Sequence, residues 1–136
     1  MAGLTLSGGV AAPETTSLTI DITNLRSQKG VIRICLTRDA KDFPDCRDAA
    51  GAIKRSIPAS APSVRIDGLA QGNYAIAVIH DENSNSKLDT FMGIPREGFG
   101  FSRNPRIGFG PPRFSAAQFE LGASPGTQQV RVRYLL

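Results

Sequence analysis

The sequence is poor in the residues that most catalytic and metal-binding chemistry needs. Its 136 residues include one His, two Cys and no Trp. This excludes most zinc sites, which take several His or Cys ligands. A Ser-His-Asp triad has no support either: the one Gly-x-Ser-x-Gly segment, over residues 122–126, lies between two predicted strands and not at the strand-to-helix turn that the nucleophile of such enzymes occupies. No apolar run approaches the roughly 20 residues that a membrane-spanning helix requires, so no membrane span is expected.

Turn-forming residues, by contrast, are abundant. The chain has 14 Gly and 9 Pro, and 40% of its residues are hydrophobic while 21% are charged. This composition is too apolar for a disordered chain, and it favours short strands joined by turns over long helices. The length suits one domain of ordinary size.

Several segments alternate apolar and polar residues with the period of two that is typical of half-buried strands. The clearest are residues 18–22 and 32–36, while residues 74–79 are apolar on both faces, as expected for a central strand. Further strands are predicted at 64–67, 114–121 and 129–135, and residues 46–57 contain either a short strand at 53–57 or a brief helix over 46–54. The pattern predicts an all-β fold, an antiparallel β-sandwich of about seven strands that is immunoglobulin- or transthyretin-like.

The N-terminal residues and the cysteines both favour an exported protein. We expect residues 1–16 to form a flexible segment and residues 17–136 to form the sandwich. The small residues near Ala11 and Ala12 are typical of the end of a signal peptide, although a basic region and a full apolar core are lacking. Cys35 and Cys46 lie 11 positions apart and form either a disulfide or two free thiols. These features predict an exported protein, periplasmic or secreted.

The segment from His80 to Asp89 is rich in side-chain oxygens. Its alternating pattern resembles a calcium-binding loop, with ligands predicted from Asp81, Asn83, Asn85, Asp89 and the carbonyl of Lys87. Two positions depart from that pattern, because Ser86 replaces the usual Gly and Met92 replaces the bidentate Glu. The alternative is a hairpin loop in which Asp and Asn side chains cap their own backbone. Calcium is the only cofactor that the sequence suggests.

The next segment, from Phe91 to Arg113, is dominated by Gly, Pro, Phe and Arg. A Pro-Arg-x-Gly-Phe-Gly unit begins at residue 95 and recurs at residue 105. Rings and guanidinium groups together suit an anion, a sugar or a protein partner. The predicted binding residues are His80, Arg96, Glu97, Phe99, Phe101, Arg103, Arg106 and Phe109. The alternative is an ordered loop that pins its rings over one end of the sandwich.

Residues 98–101, Gly-Phe-Gly-Phe, match the core of an RNA-recognition motif. The flanking Glu97 and Ser102 stand where that motif has a basic residue and Val, and the helices of that fold are not predicted. Nucleic-acid binding is therefore not expected.

Two longer motifs carry a family resemblance. They are the run from Gly72 to Asp89, with its Gly-x-Tyr strand and His-Asp-x-Asn-x-Asn loop, and the Gly-Ile-Pro-x-Glu-Gly-Phe-Gly-Phe-Ser stretch over 93–102. Together with Pro-x-Phe-x-x-Ala-x-Phe over 112–119, they resemble a bacterial family of exported proteins known only as domain of unknown function family 2141. The resemblance implies a small β-sandwich with a secretion signal and no assigned activity. The hairpin over 64–78 also resembles transthyretin-like sandwiches.

The functional prediction is a non-catalytic exported binding or interaction module that uses the loops over 80–113, with calcium binding of low affinity. Its partner is expected to be a protein or a small anionic or sugar ligand. One alternative is a hydrolase that uses the carboxylates of Asp81 and Glu97 with His80. Another is a purely structural module.

Overall fold

The computed structural model describes residues 15–46, 51–84, 90–91, 94–95, 97–108 and 110–136. Strands dominate these residues, which confirms the all-β prediction. The strands are β1 Thr15–Thr23, β2 Val31–Thr37, β3 Ala52–Pro58, β4 Ser63–Ala70, β5 Gly72–Asp81, β6 Thr90–Phe91, β7 Ile94–Pro95, β8 Gly98–Phe101, β9 Phe119–Leu121 and β10 Gly126–Arg131. One short helix, α1, spans Phe114–Ala117, and a 3-10 turn spans Ala40–Asp42. The predicted flexible segment lies, up to residue 14, outside the described residues.

Eight of these strands form the two layers of a sandwich. The small sheet has the order β10-β1-β4, and the large sheet has the order β3-β2-β5-β8, with β9 pairing the first residues of β5. The pairing of β1 with β10 is parallel, and the other pairings are antiparallel. Strands β6 and β7 form a separate two-stranded ribbon. No helix among the described residues is long and apolar enough to cross a membrane.

The chain after β10 joins the two sheets along one side. The Val132 N–H donates to the carbonyl of Thr23 in the small sheet at 3.0 Å. Phe99 in β8 of the large sheet exchanges two backbone hydrogen bonds with Arg133, at 3.0 and 2.8 Å. The last residues of the chain therefore lie directly against β8.

The predicted alternation places one apolar face of each sheet in the main core. Residues 32–36 of β2 and 74–78 of β5 contribute every second side chain to it, and the small sheet contributes the opposing layer. Its most deeply buried members are Leu18, Ile20, Ile32, Leu36, Ile76, Val78, Val130 and Val132. Burial of this apolar surface is the principal force that holds the layers together.

A second apolar cluster covers the opposite face of the large sheet. We call it the outer cluster; its buried members are Cys35, Cys46, Ala75, Ala77, Phe101 and Ala117. Cys35 and Cys46 form a disulfide, which settles the two alternatives drawn from the sequence. The ring of Phe43 lies 5.9 Å from that of Phe101 and 6.0 Å from that of Phe114, both edge-on. This cover explains why β5 is apolar on both faces.

Two sequence predictions need correction near the C-terminus. The strand predicted over 114–121 is instead helix α1 followed by the short strand β9. The chain changes sides here, because Phe114 packs on the outer cluster whereas Phe119 packs in the main core. The last strand, predicted over 129–135, spans Gly126–Arg131. Between the alternatives for 46–57, β3 confirms the strand.

Candidate functional site

His80, the only histidine, lies in the main core. It has no exposed surface, and its Nδ1 and Nε2 lie 2.7 Å from the Tyr134 hydroxyl and 2.8 Å from the Lys29 carbonyl. The Arg26 N–H donates to the Tyr134 oxygen at 3.1 Å, so the tyrosine proton is free to donate to Nδ1. Nε2 donates to the Lys29 carbonyl, because a carbonyl oxygen only accepts hydrogen bonds. His80 therefore does not contribute to a contact surface here, because both ring nitrogens are used within the fold.

An ion pair between Arg26 and Glu82 lies near His80. Arg26 donates to the Glu82 carboxylate at 2.9 and 2.6 Å, and its guanidinium lies 4.4 Å from the centre of the Tyr134 ring. The hydrogen bond from Arg26 lowers the pKa of the Glu82 carboxyl, and burial raises the pKa of the Tyr134 hydroxyl. We call Arg26, Lys29, His80, Glu82 and Tyr134 the C-terminal clasp, because they bind the chain after β10 to the end of β5.

The oxygen-rich loop begins with a carboxylate that is buried. Asp81 has no exposed surface, and its Oδ2 lies 3.4 Å from Nε of Arg33. Asn83 is exposed, while the other three predicted calcium ligands, Asn85, Lys87 and Asp89, lie outside the described residues. No group of three His, Cys, Asp or Glu side chains that could hold a metal occurs among the residues that the structure describes.

Strand β8 has two chemically different faces. Gly98 and Gly100 face the C-terminal segment, which approaches so closely that a Cβ on Gly98 would overlap the Tyr134 ring, and one on Gly100 would lie 2.7 Å from the Arg131 carbonyl oxygen. Phe101 is buried in the outer cluster, and the half-buried Phe99 packs against it. The Gly-Phe-Gly-Phe segment is thus a strand that is packed on both sides. Glu97, just before it, is also buried.

The predicted basic residues that the structure describes are exposed. Arg103 and Arg106 extend from the loop after β8, whereas Arg96 and Phe109 lie outside the described residues. Arg103 and Asn104 both have positive φ, at 66° and 47°, a conformation that costs energy for residues other than Gly. Asn104 holds this turn in place, because its Oδ1 accepts the Arg131 N–H at 2.8 Å.

The turn at Arg103 and Asn104 borders a shallow surface hollow of about 10 Å³, which has room for about one water molecule. Its apolar lining includes Phe99, Pro105 and Ile107, and its rim includes Arg131 and Arg133. Arg106 stands between two of the lining residues in the chain. We call Arg106, Arg131 and Arg133, together with the Phe99 and Ile107 lining, the arginine face. Asn104, Arg131 and Arg133 were not among the predicted binding residues, although the alternation in 129–135 places the two arginines opposite the buried valines.

Among the residues that the structure describes, the arginines of this region have no carboxylate partner. From residue 99 to residue 136 the sequence has five Arg and one acidic residue, so this segment holds the whole net charge of +4. Over the described ranges, ion pairs neutralise Arg26, Arg33 and Arg65, but none involves an arginine after residue 99. The described residues therefore define a class: a small β-sandwich with a basic, partly apolar face beside β8.

Comparison with known proteins identifies the family. The sequence profile of a bacterial family described as "Uncharacterized protein conserved in bacteria (DUF2141)" matches residues 20–129. The chain belongs to this family, which confirms the resemblance found in the sequence. No curated protein sequence matches the chain.

Three solved structures of one larger protein are similar in fold. They are two structures of the pilus-presented adhesin Spy0125 (Cpa) and one of a cysteine-to-alanine mutant of it, each 14% identical in sequence, with TM-scores of 0.39, 0.40 and 0.40. The matches cover 88% or 89% of this chain. The chain spans only 27% of the length of the adhesin.

Proposed function

We propose that this chain is a non-catalytic binding module of an exported protein, and that the arginine face is its contact surface. The observation that carries the proposal is a group of arginines, exposed at Arg106 and Arg131 and half-buried at Arg133, for which the described residues supply no carboxylate partner. Arginine and aromatic side chains are enriched where protein interfaces concentrate their binding energy. The loop that presents them is held by Asn104, so little ordering would be needed on binding.

The alternative of a carboxylate hydrolase receives less support. His80 and Asp81 are neighbours on β5 and have no exposed surface. Neighbouring residues of a strand point to opposite faces, so their side chains do not converge on one substrate. His80 is in addition hydrogen-bonded at both ring nitrogens. These contacts favour a binding module over general acid–base chemistry in this part of the molecule.

Export is part of the same proposal. The Cys35–Cys46 disulfide supports it, because cytosolic thiols are normally kept reduced whereas the periplasm and the exterior are oxidising. Mass spectrometry of the protein from cell fractions of its native bacterium, after alkylation of free thiols, tests this. We expect unalkylated, disulfide-bonded protein outside the cytoplasm. Reduced protein confined to the cytoplasmic fraction would overturn export.

Site-specific photo-crosslinking in the native bacterium tests the contact surface. A photo-reactive phenylalanine analogue at the position of Arg106 should give a discrete covalent adduct. The matched control is the same analogue at the position of Arg65, an exposed arginine of β4 that is paired with Asp67. The adduct should disappear in the variant Arg131→Gln/Arg133→Gln. No adduct at residue 106, or the same adduct at both positions, would contradict the proposal.

The oxygen-rich loop supports a second proposal, calcium binding of low affinity by Asp81, Asn83, Asn85, Asp89 and the Lys87 carbonyl. The alternation of Asp and Asn in the sequence favours it. Millimolar calcium should raise the melting temperature of the wild type, and Asp89→Asn should abolish that rise. Asp89 is the better choice for substitution, because Asp81 already faces Arg33. An unchanged melting temperature with calcium would remove the proposal.

A further inference from the structure

The strands at the edges of the two sheets differ in what covers their outward backbone groups. At β8, the Phe99 backbone exchanges two hydrogen bonds with Arg133, so this edge is closed by the chain itself. At β10, the Asn104 side chain accepts from the Arg131 N–H at 2.8 Å and donates to the Gln129 carbonyl at 3.3 Å. These two edges, which lie on the same side of the sandwich, therefore have partners within the fold.

Strand β3, at the other edge of the large sheet, remains open and regular over its whole length. Its seven residues pair with β2 in one continuous register, and none of them has positive φ. Strand β4, the other edge of the small sheet, is instead interrupted at Gly68, whose φ is 71°. A straight, open edge is the form to which a further strand can be added.

Every second residue of β3 directs its backbone groups away from β2. The Ala59 N–H donates to the Gly30 carbonyl at 3.1 Å, so these two residues form a hydrogen-bonded pair at the end of the antiparallel ladder. Such pairs alternate along a ladder, so the odd-numbered residues of β3 bond β2. The outward-facing residues are Ala52, Lys54, Ser56 and Pro58. The Lys54 carbonyl agrees with this, because it accepts from the Arg55 side chain at 3.1 Å.

The open edge has both polar and apolar groups that a further strand would cover. In the part of the chain that the structure describes, no backbone group bonds the outward side of β3. On the inner face, Ile53 and Ile57 are only half-buried at the margin of the main core. An added strand would pair the outward groups and cover both isoleucines, which is how extended peptides bind to sheet edges.

We infer that the open edge of β3 binds an extended acidic segment of another protein as an added antiparallel strand. Lys54 and Arg55 are adjacent and exposed, and the described residues supply no carboxylate partner to either. Two adjacent acidic residues of the segment would lie opposite them, one on each face of the sheet, and opposite charges across a strand pair stabilise it. This surface goes beyond the proposed function, because the arginine face lies beside β8 at the other edge of the sheet.

Charge argues against a second copy of this chain as the added strand. Antiparallel pairing of two β3 strands centred on Lys54 or on Arg55 places that residue opposite its own copy, and like charges directly opposite destabilise a pair. Pairing centred on Ser56 places Pro58 opposite Lys54, and proline has no N–H to donate to the Lys54 carbonyl.

The backbone argues for a polypeptide over other anions. An anionic polysaccharide or lipid surface could meet the charges of Lys54 and Arg55. Neither carries N–H and C=O groups at the spacing of a strand, so neither would pair with the outward groups of β3. The inference therefore rests on the open ladder, and the charge only selects among peptides.

Amide hydrogen exchange in the intact protein tests the pairing. The probe is a peptide of about nine residues, long enough to span β3, with two adjacent Glu at the centre of alternating Thr and Val. At saturation, the exchange of the Lys54 and Ser56 amides should slow at least about tenfold, because these N–H groups gain a partner. The Arg55 and Ile57 amides already bond β2, so their exchange should change less than about twofold.

Matched peptides separate backbone pairing from charge. Replacing both Glu with Gln should weaken binding about fivefold, through the loss of two cross-strand charge pairs. N-methylation of the second Glu and of the residues two positions before and after it removes the N–H groups that face β3, and should weaken binding at least about tenfold. The same modification on the intervening residues, which face solvent, should change affinity less than about twofold.

Protein variants locate the binding site. Lys54→Gln/Arg55→Gln should weaken binding of the Glu peptide about fivefold. The charge-matched control is Arg103→Gln/Arg113→Gln, which removes two exposed arginines from the segment after β8. It should change affinity less than about twofold. Thermal melting of both variants verifies that they are folded.

Several outcomes would overturn the inference. These are exchange that does not slow at Lys54 and Ser56 with millimolar peptide, equal binding of the two N-methylated peptides, an equal loss in both double variants, and tighter binding to an anionic polysaccharide or to phosphatidylglycerol vesicles. Slowed exchange at the same amides in a dimer without peptide would assign the edge to a second copy. None of these results bears on the crosslink at residue 106, so the two proposals can fail separately.

Discussion

The C-terminal clasp and the arginine face place the guanidinium group of arginine in opposite electrostatic surroundings. Both lie beside β8 and the residues that follow β10. In the clasp, the Arg26 guanidinium meets a carboxylate, an aromatic ring and the carbonyl of Leu136. On the arginine face, Arg131 and Arg133 meet no carboxylate in the described part of the chain. The contrast separates arginines that hold the fold together from arginines that remain available to a partner.

The largest expected effect on stability comes from a side chain added at Gly98, where the C-terminal segment packs closely against β8. Gly98→Ala places a methyl group into Tyr134 and Val132, so the C-terminal segment must shift. We expect the free energy of unfolding in urea to fall by about 3 kcal/mol. Gly108→Ala is the control, because a Cβ there meets no atom within 4 Å. Equal losses in the two variants would show that the close packing is not the cause.

The next effect concerns the hydrogen bonds of the clasp. Tyr134→Phe removes the group that serves both His80 Nδ1 and the Arg26 N–H. A ring nitrogen left without its hydrogen-bond partner in the core should cost about 2 kcal/mol in chemical denaturation. Tyr74→Phe, which removes one hydrogen bond to the Ala70 carbonyl on the edge strand β4, should cost less. A larger loss of stability in Tyr74→Phe than in Tyr134→Phe would contradict the structural role given to the hydrogen bonds of the clasp.

A smaller effect depends on pH. Arg26 lowers the pKa of Glu82 below its ordinary value of 4.5. The pair therefore stabilises the protein above that pH, and the stabilisation is lost as the pH falls through the lowered pKa. Glu82→Gln should cost about 1 kcal/mol or less at pH 7, because the pair is partly exposed. The difference in the free energy of unfolding between wild type and variant should shrink as the pH is lowered below 4.5, and a difference that does not depend on pH would contradict this assignment.

The smallest effect on stability is expected on the arginine face. Arg131→Gln/Arg133→Gln should change the free energy of unfolding by less than about 0.5 kcal/mol, because neither side chain makes an ion pair that the described residues record. Chemical denaturation measures this directly. A loss comparable with that of Tyr134→Phe would place these arginines among the structural residues and end the comparison.

The sequence alone could predict features that depend on local pattern. The period of two in 18–22 and 32–36 was sufficient to predict strands and their buried faces. The two-sided apolar character of 74–79 correctly predicted a central strand. The spacing of Cys35 and Cys46 was compatible with a disulfide, and pairing required only that the polar loop fold back over the outer face of β2.

Features that depend on long-range pairing were not predictable in this way. In residues 98–101, glycine and phenylalanine simply alternate, so the pattern does not say which face meets the C-terminal segment. That choice is made by Tyr134 and Val132, which are more than 30 positions away in the chain. For the same reason Arg133 was not recognised as a neighbour of Phe99, although its alternation with the valines was visible.

The disulfide has a consequence for how the two apolar clusters are held. It ties the loop that carries Phe43 over the outer cluster, where that ring contacts Phe101 and Phe114. The main core contains neither cysteine, so no sulfur bridge links its layers. Reduction of the Cys35–Cys46 bond should therefore loosen the cover on the large sheet and leave the packing between the two sheets in place.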